Sequence, residues 1–471
     1  MSSMLRGQSI LILGLGATGL SVARYAAAQG AAAITVADTR ALPPQARALQ
    51  EAAPGARLLT GAWDEALFTG VDRVVASPGV PLRSPGLAEA IARGIEVVGD
   101  IELFARDLSA RQAHDAGTLP VIAITGANGK STVTTLVGRI CEAAGLKTVV
   151  AGNIGVPALD ALAAADARAH AGAKAPDVYV LELSSFQLET TYSLNARVAT
   201  VLNISEDHMD RYASLAQYAA AKARIFQGEG LQLLNREDPY SAAMRVPGRR
   251  VETFGLGIPH GEDEWGLCKT SESTWLARGS HRFLPLGDLR LVGLHNAANA
   301  LAATAAAAGF GVALEPAADA LRQFDGLAHR TQWVADVAGV SFYDDSKGTN
   351  VGAVIAALQG MTRKVVLIAG GEGKGQDFAP LAPAVEARAR AVVLIGRDAG
   401  LIASALKTVH LPIVSAASLE EAVDVAFGAA SPGDAVLLSP ACASFDMFRN
   451  YEHRAQVFTE AVRALAGRFP R

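Results

Sequence analysis

The segment Ile122-Ala-Ile-Thr-Gly126-Ala-Asn128-Gly129-Lys130-Ser131-Thr132 runs from apolar residues through two glycines to Lys-Ser-Thr, ahead of the helical pattern Val133–Ala144. Such glycines let backbone N–H groups turn inward around phosphate oxygens. The start of the following helix adds the positive end of its dipole. Lys130 would supply a point charge to terminal phosphates, and Ser131 a hydroxyl to a Mg²⁺ ion. The strict phosphate-loop pattern needs a glycine five residues before Gly129, where Ile124 stands. The strand-then-helix context therefore holds while the pattern does not. The bland alternative is an ordinary strand–helix turn with a surface lysine.

A second loop, Gly14-Leu15-Gly16-Ala-Thr18-Gly19, is a full GxGxxG between an apolar run and a helical pattern, and Asp38 follows 19 residues after Gly19. That spacing suits a dinucleotide, with the acid on a ribose hydroxyl. An unliganded tight turn, or the diphosphate of another nucleotide, fits equally. Elsewhere Glu182 ends the apolar run Val178–Leu183, where a lone carboxylate is costly without a cation. Taken singly, His208 reads as a turn residue, Lys222 as a solvated helical lysine and Asn153 as part of a glycine turn.

The elements that must hold these residues read as three α/β blocks. Apolar runs Ile10–Leu13, Ala32–Ala37, Val71–Ala76 and Ile95–Val98 alternate with helical stretches Ser21–Gln29 and Pro85–Arg93, the latter with Ser84 as N-cap and Pro85 at the first helical position. This predicts a parallel sheet covered by helices. The polar stretch Arg106–Gly117 separates it from a second block holding strands Leu119–Thr125, Val178–Leu183 and Thr200–Ile204. Gly255–Ser280 reads as loops or a small antiparallel patch. A third block carries strands Val340–Tyr343, Lys364–Ala369, Ala391–Ile395 and Ala435–Leu438. The expected domains are 1–107, 108–325 and 326–471.

Composition fits that organisation. The 471 residues exceed what one core supports, and half are apolar with 19% charged, which excludes wholesale disorder. The net charge of −4 gives no support to a nucleic-acid-binding surface. Three scattered cysteines argue against disulfides and thiolate metal sites, and for a reducing, cytoplasmic setting. The apolar run after Arg6 is too short for a leader and reads as a strand. Leu291–Leu314 lacks Asp, Glu, Lys and Arg, but its alanines, His295, Asn296 and Asn299 predict a buried helix and no membrane span.

Further motifs are Glu182-Leu-Ser-Ser-Phe-Gln-Leu, Asn203-Ile-Ser-Glu-Asp-His208-Met-Asp-Arg-Tyr, His295-Asn-Ala-Ala-Asn299, His329-Arg330, Asp344-Asp345-Ser-Lys347-Gly-Thr349-Asn350, Gly370-Gly-Glu-Gly-Lys374-Gly and Leu438-Ser-Pro-Ala-Cys-Ala-Ser444-Phe445 through Tyr451. With the Lys130 loop, their order and spacing resemble the Mur ligases of peptidoglycan synthesis, from about Leu11 to Phe458. The Glu182 and Ser444 segments look most like the branch that adds D-glutamate.

The resemblance implies an N-terminal Rossmann-like UDP-binding domain, a central P-loop-like ATPase domain and a C-terminal Rossmann-like domain for the amino acid. It implies ATP-driven amide formation through an acyl phosphate and a tetrahedral intermediate. The substrates would be UDP-N-acetylmuramoyl-L-alanine, D-glutamate and ATP, with two Mg²⁺ ions and a carbamate on Lys222. By resemblance, Gly126, Asn128, Gly129, Lys130, Ser131, Thr132, Asn299, Arg330 and Asp345 bind ATP. Ser131, Glu182, His208 and carbamylated Lys222 hold metal, and Lys130, His208, Lys222 and Lys347 carry catalysis. Leu15, Gly16, Thr18, Asp38, Thr39, Arg40, Ser77, Gly79 and Asn153 take the UDP substrate. Thr349, Lys374, Ser444, Phe445 and Tyr451 take D-glutamate. Ala127 and Gly348 depart from the common Thr and Ala of the family. Domain closure on ligands is expected, and no nucleic acid or membrane partner. A nicotinamide oxidoreductase resting on Gly14–Asp38 would leave Lys130, Glu182 and His208 without a role. A non-catalytic nucleotide-binding module would be expected to have lost Lys130 or His208.

Overall fold

The computed structural model describes residues 4–84, 86–111, 119–291 and 293–469. The apolar runs become three sheets. The first contains β1 (Ser9–Leu13), β2 (Ala33–Asp38), β3 (Arg57–Thr60), β4 (Arg73–Ala76) and β5 (Glu96–Val98), all parallel, in the order β3-β2-β1-β4-β5. The second holds β6 (Leu119–Thr125), β7 (Thr148–Gly152), β8 (Val178–Glu182), β9 (Ala196–Val201), β10 (Leu231–Asn235), β11 (Val251–Phe254), β12 (Glu264–Lys269), β13 (Thr274–Arg278) and β14 (His281–Pro285). Its order is β14-β13-β12-β11-β10-β9-β6-β8-β7, with β12 to β14 antiparallel and the rest parallel. The third contains β15 (Gln332–Val337), β16 (Val340–Asp344), β17 (Val365–Gly370), β18 (Ala389–Ile395), β19 (Ile413–Ser415) and β20 (Ala435–Leu438), ordered β15-β16-β20-β17-β18-β19 with only β15 antiparallel.

In each sheet, strand order reverses where the functional loops lie. Open α/β sheets bind ligands at that position, beyond the carboxyl ends of the strands. In the first sheet it is the β1/β4 gap, flanked by Gly14–Gly19 and Ser77–Gly79. In the second it is the β6/β9 gap, flanked by the Lys130 and Asn203 loops. In the third it is the β20/β17 gap, near the Asp345, Gly371 and Ser439 loops.

Several local expectations change. The polar stretch before β6 is helical through Arg111, so Asp107 lies inside the helix Asp100–Arg111, and 112–118 fall outside the described residues. The predicted helix near Pro85 spans Leu87–Ala92. Gly86 is its N-cap in place of Ser84, because the Glu89 carboxylate reaches back to accept from the Gly86 N–H. Pro85 lies outside the described residues. The uncharged segment forms the helix Leu294–Phe310, buried over Ala300–Ala307. Among the described residues no helix is long and apolar enough to cross a membrane.

The three units join differently. One apolar cluster runs from Ile10 and Phe104 through Leu159, Leu181 and Tyr218, fusing the first sheet's helices to the second sheet. Glu102, fully buried at that seam, accepts from the Tyr192 and Ser193 amides and from Arg106. The third sheet's two clusters contain only residues beyond Val334, and its contacts with the second unit include several polar ones.

Asp100, at the same seam, is 1% exposed, and neither carboxylate oxygen has a hydrogen bond of good geometry. Burial pushes its pKa up to about 6. A carboxyl raised on folding binds more protons in the native state, so stability falls as pH rises through the window between the ordinary value and about 6. The loss is complete above it, on the order of 3 kcal/mol. Asp100→Asn is therefore expected to raise Tm at pH 8 and to leave it nearly unchanged at pH 4, as thermal melts at the two pH values would show.

Candidate active site

The nucleotide loop leaves β6 at Thr125. Gly126 (φ 158°) and Gly129 (φ 81°) occupy conformations that favour glycine, and Gly129 caps the helix Lys130–Ala143. A Cβ at Gly129 would lie 2.5 Å from Asn299 Oδ1, so the Asn299 amide fits only against glycine. Asn203 clamps the loop: its Oδ1 accepts from the Asn128 amide at 2.8 Å and its Nδ2 donates to the Asn128 carbonyl at 3.1 Å. Asn203 opens the Asn203–Tyr212 motif, and its spacing alone points to no such clamp. Lys130 Nζ donates to the Gly126 and Ala127 carbonyls at 2.9 and 2.8 Å. Burial lowers its pKa, and Glu182 and Asp207 oppose that shift. Arg330 Nη2 donates to Ser131 Oγ across 3.1 Å, joining the third unit to this loop. Asn128, Gly129, Thr132, Asn299, Arg330, Asp345 and Lys347 line one cleft, continuous with a cavity of about 660 Å³ that reaches Thr331, Trp333 and Tyr343.

Glu182 ends β8 with its side chain 1% exposed as a residue. Its Oε1 accepts from Asn153 Nδ2 at 2.7 Å, and its Oε2 is buried with no partner. Gly152 (φ 107°) lets the Asn153 turn approach: a Cβ there would sit 2.4 Å from the Glu182 carbonyl. The His208 ring lies against Phe186, centroids 4.7 Å apart with the planes tilted by 60°. Burial pushes its pKa down to about 4 despite Asp207, so its imidazole is neutral at pH 7. Asp207 lies inside the Asn203–Tyr212 motif, where nothing in the spacing marks it as an ion-pair partner. Burial opposes its charge, yet the Lys374 ammonium, 2.8 Å away, holds its carboxyl down at about 2.

Lys222 is 1% exposed in the helix Leu215–Ala223. Its Nζ donates to Thr125 Oγ1 at 3.2 Å and sits 4.7 Å above the Tyr218 ring. Burial, reinforced by Lys130, holds its amine well below the usual lysine range. The reading of Lys222 as a solvated lysine fails.

An orphaned carboxylate oxygen and a neutral imidazole are donors that a divalent cation could use. Among the described residues no three His, Cys, Asp or Glu side chains cluster around one point. A Mg²⁺ site here would be completed by substrate phosphates, as hard cations on phosphates commonly are. Glu182→Gln keeps an acceptor for Asn153 and removes the charge. It is expected to lower kcat on the order of 100-fold and raise the Mg²⁺ needed for half-maximal rate, with Tm unchanged; a Mg²⁺ titration checks this.

In the first unit, a Cβ at Gly19 would meet the Gly14 carbonyl at 1.9 Å, and Ser77 Oγ donates to that carbonyl at 3.0 Å. Asp38 does not offer a free carboxylate. Its oxygens accept from the Leu15 and Arg40 amides at 2.7 and 2.9 Å and from the Arg40 guanidinium at 2.8 and 2.6 Å. That pairing with Arg40 holds its pKa down at about 2. Leu15 is fully buried and its amide is taken up by Asp38, while Thr39, Arg40 and Gly79 are exposed and Gly16, Thr18 and Ser77 partly so.

In the third unit, Asp345 accepts from the Thr331 amide at 3.0 Å and from Ser439 Oγ at 2.6 Å. Burial pushes its pKa up to about 6. Gly348 is not a neutral departure: a Cβ there would come within 2.5 Å of Asp345 Oδ2. Lys347 Nζ sits 3.7 Å from the Tyr451 ring centroid, and burial together with Arg330 lowers its pKa to about 8. Lys374 reaches across to Asp207 of the second unit, Thr349 is half-buried, and Ser444 is buried. Phe445, beside it, is 71% exposed.

Three family models match in order. Residues 8–99 match the Mur ligase MurD-like N-terminal domain, 124–307 the Mur ligase middle domain, and 329–442 the Mur ligase glutamate ligase domain. The chain belongs to the Mur ligase family. It is 58% identical to UDP-N-acetylmuramoylalanine--D-glutamate ligase of Methylobacillus flagellatus, over 97% of each chain. It is 54% identical to the enzyme of the same name from Thiobacillus denitrificans, over 98% of this chain and 97% of the relative. Among solved structures it resembles the UDP-N-acetylmuramate-alanine ligase MurC of Thermotoga maritima, at 19% identity and TM-score 0.59, over 97% of this chain and 99% of the other. It also resembles MurF ligase of Thermotoga maritima in complex with ADP, at 15% identity and TM-score 0.60, over 98% and 97%. At such identities the Mur ligase fold alone is shared. The nicotinamide reading of Gly14–Asp38 is set aside, because the matched family is a ligase family.

Proposed function

We propose that this chain joins D-glutamate to UDP-N-acetylmuramoyl-L-alanine in the cytoplasm, converting ATP to ADP and phosphate. The observation that carries the reading is the proximity of Lys130, Glu182 and His208 to Lys347, Arg330 and Lys374, close enough for their charges to act on one another. Its relatives, at up to 58% identity in those reported above, support D-glutamate as the amino acid.

ATP would lie along the Gly126–Ser131 loop, with its base toward the cavity beside Thr331. Lys130, freed from its loop carbonyls, and Arg330 face the terminal phosphates, and Lys347 faces the transferring group. A carboxylate oxygen of the nucleotide substrate attacks the γ-phosphorus and ADP leaves, giving an acyl phosphate. The D-glutamate amine attacks the acyl carbon, the intermediate collapses, and phosphate departs with the original carboxylate oxygen. Every partner is anionic, so alignment and charge neutralisation are the main task. Mg²⁺ held near Ser131, Glu182 and His208 would neutralise phosphate oxygens. Lys222, its amine neutral and buried, would react with CO₂ to a carbamate whose oxygens extend that donor set. Thr349, Lys374, Ser444 and Tyr451 would hold D-glutamate, and the Gly14–Gly19 loop with Thr39, Arg40, Ser77, Gly79 and Asn153 the UDP substrate.

Isotope transfer tests the path. With ¹⁸O in the substrate carboxylate, one labelled oxygen per turnover should appear in the released phosphate. Phosphate free of label would overturn the acyl-phosphate route.

A further inference from the structure

The second and third units meet through the phosphate loop itself. Asn128 and Asn350 exchange a reciprocal pair of amide hydrogen bonds, Asn128 Nδ2 donating to Asn350 Oδ1 at 3.1 Å and Asn350 Nδ2 to Asn128 Oδ1 at 3.0 Å. The orientation of the Asn350 amide is fixed independently. As N-cap of the helix Val351–Gly360, its Oδ1 must accept from the Ala353 N–H, at 2.9 Å. Its Nδ2 therefore points across the cleft, where Asp207 Oδ2 also lies 3.5 Å away. Asn350 is 3% exposed.

A second observation marks the same contact. Gly352, in the first turn of that helix, has an ordinary helical backbone, so nothing in its own conformation calls for glycine. A Cβ there would meet Ser205 Oγ at 2.9 Å and Asn128 Nδ2 at 3.1 Å. Glycine costs a helix interior about 1 kcal/mol relative to alanine. Here it admits the close approach of the two units. The apolar clusters of the third unit contain no residue of the second; the far end of the helix approaches the second unit at Gly360, beside Gly293 and His295, and its first turn meets it through these polar contacts.

We propose that Asn350 is a positioning residue, and with Gly352 forms a latch that registers the helix Val351–Gly360 on the phosphate loop. The latch fixes Thr349, adjacent to Asn350, and Lys347, three residues before it, relative to the nucleotide. This rests on the proposed ligase reading. Asn128 then acts through its side chain on the third unit, and through its backbone on the phosphates.

Gly352→Ala separates positioning from folding, because alanine strengthens the helix while obstructing the contact. It should leave Tm equal or higher. It should lower kcat/KM for the amino acid by about 10- to 100-fold, with KM for ATP within about twofold. Asn350→Ser keeps an N-cap acceptor and loses the reach to Asn128, so it should share the phenotype. Gly352→Ala combined with Ser205→Gly should recover part of the loss. Small-angle scattering with a non-hydrolysable ATP analogue gives a readout independent of turnover: wild type should compact, and both single variants should remain extended. Variants that compact like wild type, or turn over within twofold of it, would overturn the latch. If the wild type proved to join a different amino acid, the scattering comparison would still decide the latch.

Discussion

Lys222→Ala is expected to reduce ligation on the order of 10³-fold while the protein stays folded, and short-chain carboxylates such as acetate should restore part of the rate. The expectation follows from the environment of the amine. It is 1% exposed, it donates to Thr125 Oγ1, and Lys130 adds repulsion to the cost of burial. A lysine held neutral is a nucleophile toward CO₂, and its carbamate brings a negative charge where Lys130 lies close enough to balance it. Carbamate formation needs the free base. Activity should therefore fall on the acid side, as the amine protonates, and should fall when CO₂ is stripped from the buffer and return when bicarbonate is added. Lys222→Arg cannot form the carbamate and buries a permanent cation, so it should be inactive and less stable. Kinetics with and without acetate, beside thermal melts, check these statements together. An alanine variant with no response to carboxylates would leave Lys222 as a packing residue.

Lys130→Ala should cost about 10³-fold in kcat/KM, because its ammonium is the cation built into the nucleotide loop itself. Alanine suits the first turn of the helix Lys130–Ala143 better than lysine does. Tm should therefore stay within a few degrees, and the loss should be catalytic. Phosphate release under saturating ATP measures it. Turnover near that of wild type would remove Lys130 from the site.

Both glycine loops were legible because the backbone itself demands glycine at positions such as Gly14, Gly126 and Gly129, and that demand is written in residue type. Glu182 was legible because a carboxylate closing a wholly apolar run needs a partner. The burial of Lys222 was not. Its helix is alanine-rich on every side, so periodicity gives no face, and only the packing against Thr125 and Tyr218 decides. The pairs Asn128–Asn350 and Asp207–Lys374 join residues 222 and 167 positions apart, beyond any local pattern. Asp38 carried a signal that went unused: Arg40, two residues on, saturates the carboxylate that spacing alone assigns to a ribose. Phe445 shows the converse, since its place beside buried Ser444 says nothing of which way the ring points.

Phosphate release from ATP and Mg²⁺ with UDP-N-acetylmuramoyl-L-alanine, in the presence of D-glutamate, L-glutamate, L-lysine, meso-diaminopimelate or no amino acid, tests the proposed ligation most directly. Release should require D-glutamate. Release supported by another amino acid and not by D-glutamate, or no release with any of them, would contradict it.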